Sequence, residues 1–202
     1  MEALVKPPAN VFDVLITAWL KWRDHSSSPI PCRHEIHPKD MTSILPYVMV
    51  LDNLKESTAS YSLVGEQMKI IYTNNLKSRN IISTRANVIT QKKLHKYLIE
   101  NIQSKHCGTL TRRLAQDSQN RDWHYDVLTL PLLNKDGSYS LIITVDMEPL
   151  VEDKKSAWML VDSLTIDQAI LLEIERLDLG EGVFDFPYDL AAGVKNCGVR
   201  TI

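Results

Sequence analysis

The sequence is short of cysteine, of long apolar runs and of net charge. Its three cysteines are widely spaced and lack the CxxC pattern of a zinc or redox site, so we predict free thiols. Because 23 Lys and Arg stand against 25 Asp and Glu, bulk charge does not hold nucleic acid or an anionic membrane. No apolar run approaches the roughly 18 residues that a membrane span requires. These absences predict a globular, cytoplasmic protein.

The length and composition of the chain fit one globular domain with an additional segment. The chain has 202 residues, of which 44% are apolar and 24% charged, as in ordinary globular domains. We predict an N-terminal helix and connector over residues 1–46, a main domain over 47–148, and a C-terminal extension over 149–202.

The first predicted element is a helix that begins near Val11 and ends at the serine-rich and proline-rich connector after Ser26. Its apolar residues recur at spacings of three and four and form one stripe. Such a stripe either docks on the protein's own core, which is commoner, or pairs with a second copy. Because Trp and Phe supply large apolar area at interfaces, we expect it to carry a homodimer or partner contact. The candidate interface residues are Phe12, Leu15, Trp19 and Trp22.

Segments with a period of two predict a sheet. The expected strands are residues 47–52, 59–64, 109–115, 123–133 and 139–145. Helical spacing fills residues 66–105, and Asp136-Gly137 is the strongest hairpin signal. This order predicts an α+β fold, with helices gathered on one side of an antiparallel sheet.

The C-terminal extension is predicted to contain one further helix, over residues 165–177, because Ile166, Ile170 and Ile174 recur at helical spacing. Four of the seven glycines follow residue 179. We therefore expect an irregular tail that folds by docking on the domain or on a partner.

Several local motifs are similar to those of a known family. They are 18–23 (AWLKWR), 30–33 (IPCR), 37–41 (HPKDM), 44–52 (ILPYVMVLD) and 61–65 (YSLVG). Together they resemble the opening of a PAS-like family found mainly in alphaproteobacteria, and the resemblance covers about residues 12 to 150. Ser62 stands where that family usually has Arg. The resemblance implies a PAS fold, with about five strands covered on one face by short helices, and a sensory or protein-interaction module.

A PAS-like fold implies a cavity between the sheet and the helical cluster, and small-molecule sites are concave and mostly apolar. The alternative is that the same side chains fill the core, because protein interiors are densely packed. Alternation places Arg112 and Arg113 on opposite faces, so at most one of them faces the covered side, where an anionic ligand would meet it. The candidate ligand-binding residues are Tyr61, Met68, Tyr72, Leu98, Arg113 and His124.

Two clusters of reactive residues were considered as a metal site and as a catalytic site, and neither is predicted. Cys32, His34 and His37, with His25 upstream, do not have an established spacing for a closed four-ligand zinc site, so no metal is predicted. His106 and Cys107 are adjacent and have no oxyanion loop, so no catalytic residue and no cofactor is predicted.

The predicted function is a non-enzymatic signalling module. Its partner is expected to be a small-molecule ligand or a signalling protein, with a homodimer through the N-terminal helix, and neither membrane nor nucleic acid. The alternative is a structural adaptor with a filled core and no ligand.

Overall fold

The computed structural model describes residues 5–52, 54, 60–71, 89–160, 169–186, 189 and 193–202. Its helices are α1 (Val11–His25), α2 (Glu66–Ile71), α3 (Ile89–Lys105) and α4 (Lys154–Leu160). Its strands are β1 (Val48–Asp52), β2 (Ser60–Val64), β3 (Gly108–Gln116), β4 (Asp122–Leu133), β5 (Tyr139–Pro149), β6 (Ile170–Asp178) and β7 (Lys195–Thr201). None of the helices in the described part of the chain is long and apolar enough to cross a membrane.

The strands form one sheet in the order β2-β1-β5-β4-β3-β6-β7. Neighbours are antiparallel except for β6 and β7, which are parallel. The β4–β5 hairpin closes where the Asn134 N–H donates to the Ser138 carbonyl at 2.8 Å. Gly137 has φ +78°, the left-handed backbone that a tight hairpin turn requires, so the Asp-Gly prediction is confirmed.

The sheet is packed on both faces. One face, which we call the helical face, carries Tyr125, Val127 and Ile143 and packs against α2, α3 and α4. The opposite face, which we call the α1 face, carries residues such as Leu130 and Ile142 and packs against α1. The short helices therefore gather on one face, as predicted, while the N-terminal helix covers the other. Since β1, β4 and β5 carry apolar side chains at successive positions, neither face can be left in water.

The aromatic stripe of α1 docks on the chain's own sheet. Leu15, Trp19 and Trp22 are buried among residues of the α1 face, and Phe12 packs partly against them. The Trp19 Nε1–H donates to the Pro131 carbonyl at 2.8 Å. Of the two alternatives for the stripe, docking on the protein's own core is the one that buries Leu15, Trp19 and Trp22 here, while the homodimer through this helix stays a prediction. Covering an apolar sheet face within one chain avoids the entropy cost of association.

An ion pair ties the connector to the sheet. The Arg33 Nη1 lies 2.6 Å from the Asp52 Oδ2 at the end of β1. Its Nη2 donates to the Ser62 hydroxyl at 2.8 Å, so the serine found where the family usually has Arg receives a hydrogen bond from the connector. The Ser140 hydroxyl donates to the other oxygen of Asp52. Arg33 of the 30–33 (IPCR) motif thus anchors the connector to strands β1 and β2, and Ser140 of β5 binds the same carboxylate.

The C-terminal extension adds two strands in place of the helix predicted over 165–177. Residues 170–178 form β6, while 165–168 lie outside the described residues. β6 pairs with β3 from Gly108 to Leu114 and covers its backbone N–H and C=O groups. The tail predicted to be irregular contains β7, and a helix in the described part of the extension, α4, lies earlier. The sheet consequently has seven strands, two more than expected.

Candidate ligand site between α3 and the sheet

A small cavity lies between α3 and the helical face of the sheet. Its volume is about 30 Å³, enough for one or two water molecules. Leu98, Ile99 and Ile102 of α3 form its roof, and apolar residues of β1, β4 and β5 form part of its floor. The remaining floor is polar. It consists of Thr109, Thr111, Arg113 and Thr129.

The polar floor follows from the alternation of β3. Thr109, Thr111 and Arg113 are two residues apart, so all three lie on the helical face. Thr129 of β4 lies directly across from Thr109. Two hydroxyls and one guanidinium therefore follow one strand beneath an apolar roof. A mostly apolar space with a few placed polar groups is the usual composition of a small-molecule site.

The two adjacent arginines of β3 lie on opposite faces, as predicted. Arg112 donates from Nε and Nη2 to the two carboxylate oxygens of Asp126, at 2.9 and 2.8 Å. Arg113 is paired across the ladder with Tyr125, which lies on the helical face. Arg113 is consequently the arginine that lines the cavity.

The structure brings some of the predicted ligand-binding residues together. Leu98 and Arg113 line the cavity. Tyr61 and Met68 are buried in the same apolar core but do not line this cavity. Tyr72 lies outside the described residues.

His124, also predicted to bind a ligand, does not line this cavity. It is paired with Leu114 and Glu148, whereas its neighbours Trp123 and Tyr125 are buried on the helical face. Because successive residues of a strand point to opposite faces, His124 faces the same side as α1.

The sequence reasoning missed Thr109, Thr111 and Thr129. Thr109 and Thr111 could have been placed on the same face as Arg113, because residues of one strand that are two or four positions apart share a face. Threonine is also favoured in strands for its β-branched shape, so its presence alone does not mark a site.

The Cys107 thiol is not an activated nucleophile. Burial raises the pKa of Cys107 to about 11, with a smaller opposite effect of hydrogen bonding from the backbone of Phe184. The thiol is therefore protonated at neutral pH. The neighbouring His106 places its Nε2 2.8 Å from the Tyr139 hydroxyl. Among the residues that the structure describes, no group of three or more His, Cys, Asp or Glu is placed to hold a metal ion.

The sheet order β2-β1-β5-β4-β3, with helices α2 and α3 between β2 and β3, covers the part of the chain that contains the cavity. A family model described as PAS domain matches residues 10–145. The chain belongs to the PAS domain family. No curated protein and no solved structure matches it. Every residue that lines the cavity lies within the PAS match, whereas α4, β6 and β7 lie beyond it. Membership of the PAS family indicates a sensory or signalling module.

Proposed function

We propose that this PAS protein is a non-enzymatic sensory module that binds a small ligand between α3 and the sheet and passes the change to a partner protein. One observation carries the proposal: the line of Thr109, Thr111 and Arg113 beneath an apolar roof. This composition favours a ligand with an apolar body and a group that accepts hydrogen bonds, such as a carboxylate, because guanidinium groups bind such acceptors strongly.

The size of the cavity adds a requirement. At about 30 Å³ it does not hold an organic ligand while α3 is in its present position. A ligand therefore binds a second state, in which Leu98, Ile99 and Ile102 stand further from the sheet. A ligand shifts a protein between two states only through its different affinity for them. Movement of α3 would supply that difference.

Native mass spectrometry of the purified chain, with an absorption spectrum of the same sample, tests the proposal. We expect a non-protein mass on the wild type that is lost in Arg113→Met. The matched control is Arg112→Met, which removes the same charge from the opposite face and should keep the mass. A mass that survives Arg113→Met unchanged would contradict the assignment of Arg113.

A second candidate function is a structural adaptor with a filled core. The small volume of the cavity supports it, because a packed interior leaves little room for a ligand. A wild-type chain that carries no bound mass would favour this adaptor. Its partner would then be sought by capture from the native host, and its oligomeric state would be read from the same mass spectrum.

A further inference from the structure

Residues 183–186, which we call the strap, form an irregular segment that lies between α3 and β6. Phe184 and Phe186 are buried in the core of the helical face, although they lie far beyond the PAS match. The guanidinium of Arg176 lies 5.9 Å from the centre of the Phe186 ring. The C-terminal extension thus contributes aromatic side chains to the core that contains the cavity.

Side chains from two different elements hold the strap by its backbone. The Tyr97 hydroxyl of α3 donates to the Asp185 carbonyl at 3.0 Å. Arg176 of β6 donates from Nη1 to the Phe184 carbonyl at 2.8 Å. The ring of Phe184 also packs edge-on against that of Tyr97, with 5.8 Å between centroids. The strap therefore fastens α3 to β6.

The helix that the strap holds is the roof of the cavity. Tyr97 directly precedes Leu98, and Leu98, Ile99 and Ile102 line the cavity from above. Because a helix moves as a rigid unit over a few residues, α3 cannot leave the sheet while Tyr97 keeps both of its contacts with the strap. Opening of the cavity and release of the strap are therefore coupled.

Two glycines in the left-handed backbone region lie in the segment that leads into the strap. Gly180 and Gly182 have φ of +107° and +83°, where residues with a side chain are strained. Both N–H groups donate to one carboxylate oxygen of Asp178, at 2.9 and 3.0 Å. A few residues that absorb large backbone changes are the usual hinge of a moving segment.

We propose that the strap is a latch, which clamps α3 over the cavity when closed and releases it when open. Its use in signalling rests on the proposed function, since a ligand that lifts α3 would open the latch and change the C-terminal extension. The opening itself needs no ligand and is testable without one.

Cys107 reports the state of the latch. It is fully buried in the same core cluster as Phe184 and Phe186, and its thiol donates to the Asn101 carbonyl of α3 at 3.9 Å. Opening of the strap uncovers the thiol, whereas Cys32 is partly exposed and Cys197 is exposed in the closed state. Modification of the full-length chain by N-ethylmaleimide, followed by peptide mass spectrometry, gives the rate at each cysteine separately.

The first comparison uses strap variants. Tyr97→Phe removes one hydrogen bond and should raise the rate at Cys107 by about twofold to tenfold. Phe184→Ala removes the buried ring and should raise it by about tenfold or more. The matched control, Leu132→Ala, truncates a buried side chain of the α1 face and should leave the rate nearly unchanged. An equal rise in the control would show that Cys107 reacts only after global unfolding, and would overturn the latch.

The second comparison uses the cavity. Val127 lines the cavity floor, so Val127→Phe overfills it and pushes α3 outward. We expect the rate at Cys107 to rise by about fivefold or more, whereas Val127→Ile adds one methylene that the cavity accommodates. Circular dichroism confirms that each variant is folded, and Tyr97→Phe provides the milder test if Val127→Phe does not fold. No rise in folded Val127→Phe would overturn the coupling.

The two proposals fail differently. If no ligand is found by mass spectrometry but the strap variants and Val127→Phe expose Cys107, the latch stands and the ligand proposal fails. If a ligand is retained and the Cys107 rate is insensitive to Tyr97→Phe and Phe184→Ala, the ligand site stands and the latch is wrong.

Discussion

Replacing Trp19 with Phe tests the docking of α1 on the sheet. The indole is fully buried, and its Nε1–H donates to the Pro131 carbonyl at 2.8 Å. The pairing of β3 with β4 ends at Thr109 and Thr129, so the last residues of β4 run past β3. There the Leu133 N–H donates to the Pro31 carbonyl of the connector at 3.0 Å. Trp19 and the connector therefore supply partners to the end of β4.

The expected loss follows from the acceptor that Trp19→Phe leaves behind. A buried carbonyl without a donor costs about 1–3 kcal/mol. The smaller ring leaves unfilled volume, which adds about 24 cal/mol per Å³. Against a usual unfolding free energy of about 5–15 kcal/mol, this loss is readily measured.

Urea unfolding followed by far-ultraviolet circular dichroism measures the change, with Trp22→Phe as the matched control. Trp22 donates from Nε1 to the Asp40 Oδ2 at 2.9 Å, and the other oxygen of Asp40 is 2.6 Å from the Lys21 Nζ. Because Asp40 keeps Lys21 and can meet water, Trp22→Phe should lose less free energy of unfolding than Trp19→Phe. If Trp19→Phe costs less than about 0.5 kcal/mol, or less than Trp22→Phe, the Trp19 hydrogen bond does not stabilise the docked helix.

Asp117 and Asp146 are expected to make the stability of the fold depend on pH in opposite directions. Burial acts to raise the pKa of Asp117, but hydrogen bonds from the Arg121 backbone, the Trp123 indole and the Arg121 guanidinium outweigh it and hold the pKa below 3.8. Asp117→Asn should therefore lower the melting temperature at pH 7. The difference in melting temperature between Asp117→Asn and the wild type should shrink as the pH falls below about 3.8, because the wild-type carboxylate is then increasingly protonated. Thermal unfolding of both proteins at pH 7 and pH 3 measures this difference. Burial, aided by Asp126 opposite, raises the pKa of Asp146, so the wild type loses stability as the pH rises above about 3.8. Asp146→Asn should melt at the same or a higher temperature at pH 7, and a lower one would show that the Asp146 charge is stabilised.

The first five strands of the chain, β1 to β5, were predictable because local signals agreed on them. Trp123, Tyr125 and Val127, two residues apart, marked the start of β4, and Asp136-Gly137 marked the turn after it. The fold of the extension was not predictable in the same way. Ile170 and Ile174 are four residues apart, a spacing that fits one face of a helix and also one face of a strand. The pairing of β3 with β6 decides for a strand, and an irregularity in its register places Ile174 in the core while Ile170 is 52% exposed.

The candidate site was predictable only where one face of a strand differs from the other. Arg112 and Arg113 are successive residues of one strand and therefore lie on opposite faces of the sheet, so one of them had to face the helices. His124 could not be placed, because both faces of β4 are apolar: Tyr125 and Val127 on one side, Leu130 on the other. Which apolar face meets α3 depends on the long-range arrangement of the elements.

The parallel pairing of β6 and β7 restricts how far the strap can travel. Parallel neighbours need a connection that returns along the whole strand, and β6 has 9 residues, or about 30 Å. Residues 179–194 make this return, and the strap is part of it. A segment tethered at both ends stays at a high effective concentration near its binding site. The strap, once released, is therefore expected to rebind rapidly, and a lasting open state would require something that occupies its place or lifts β7 from β6.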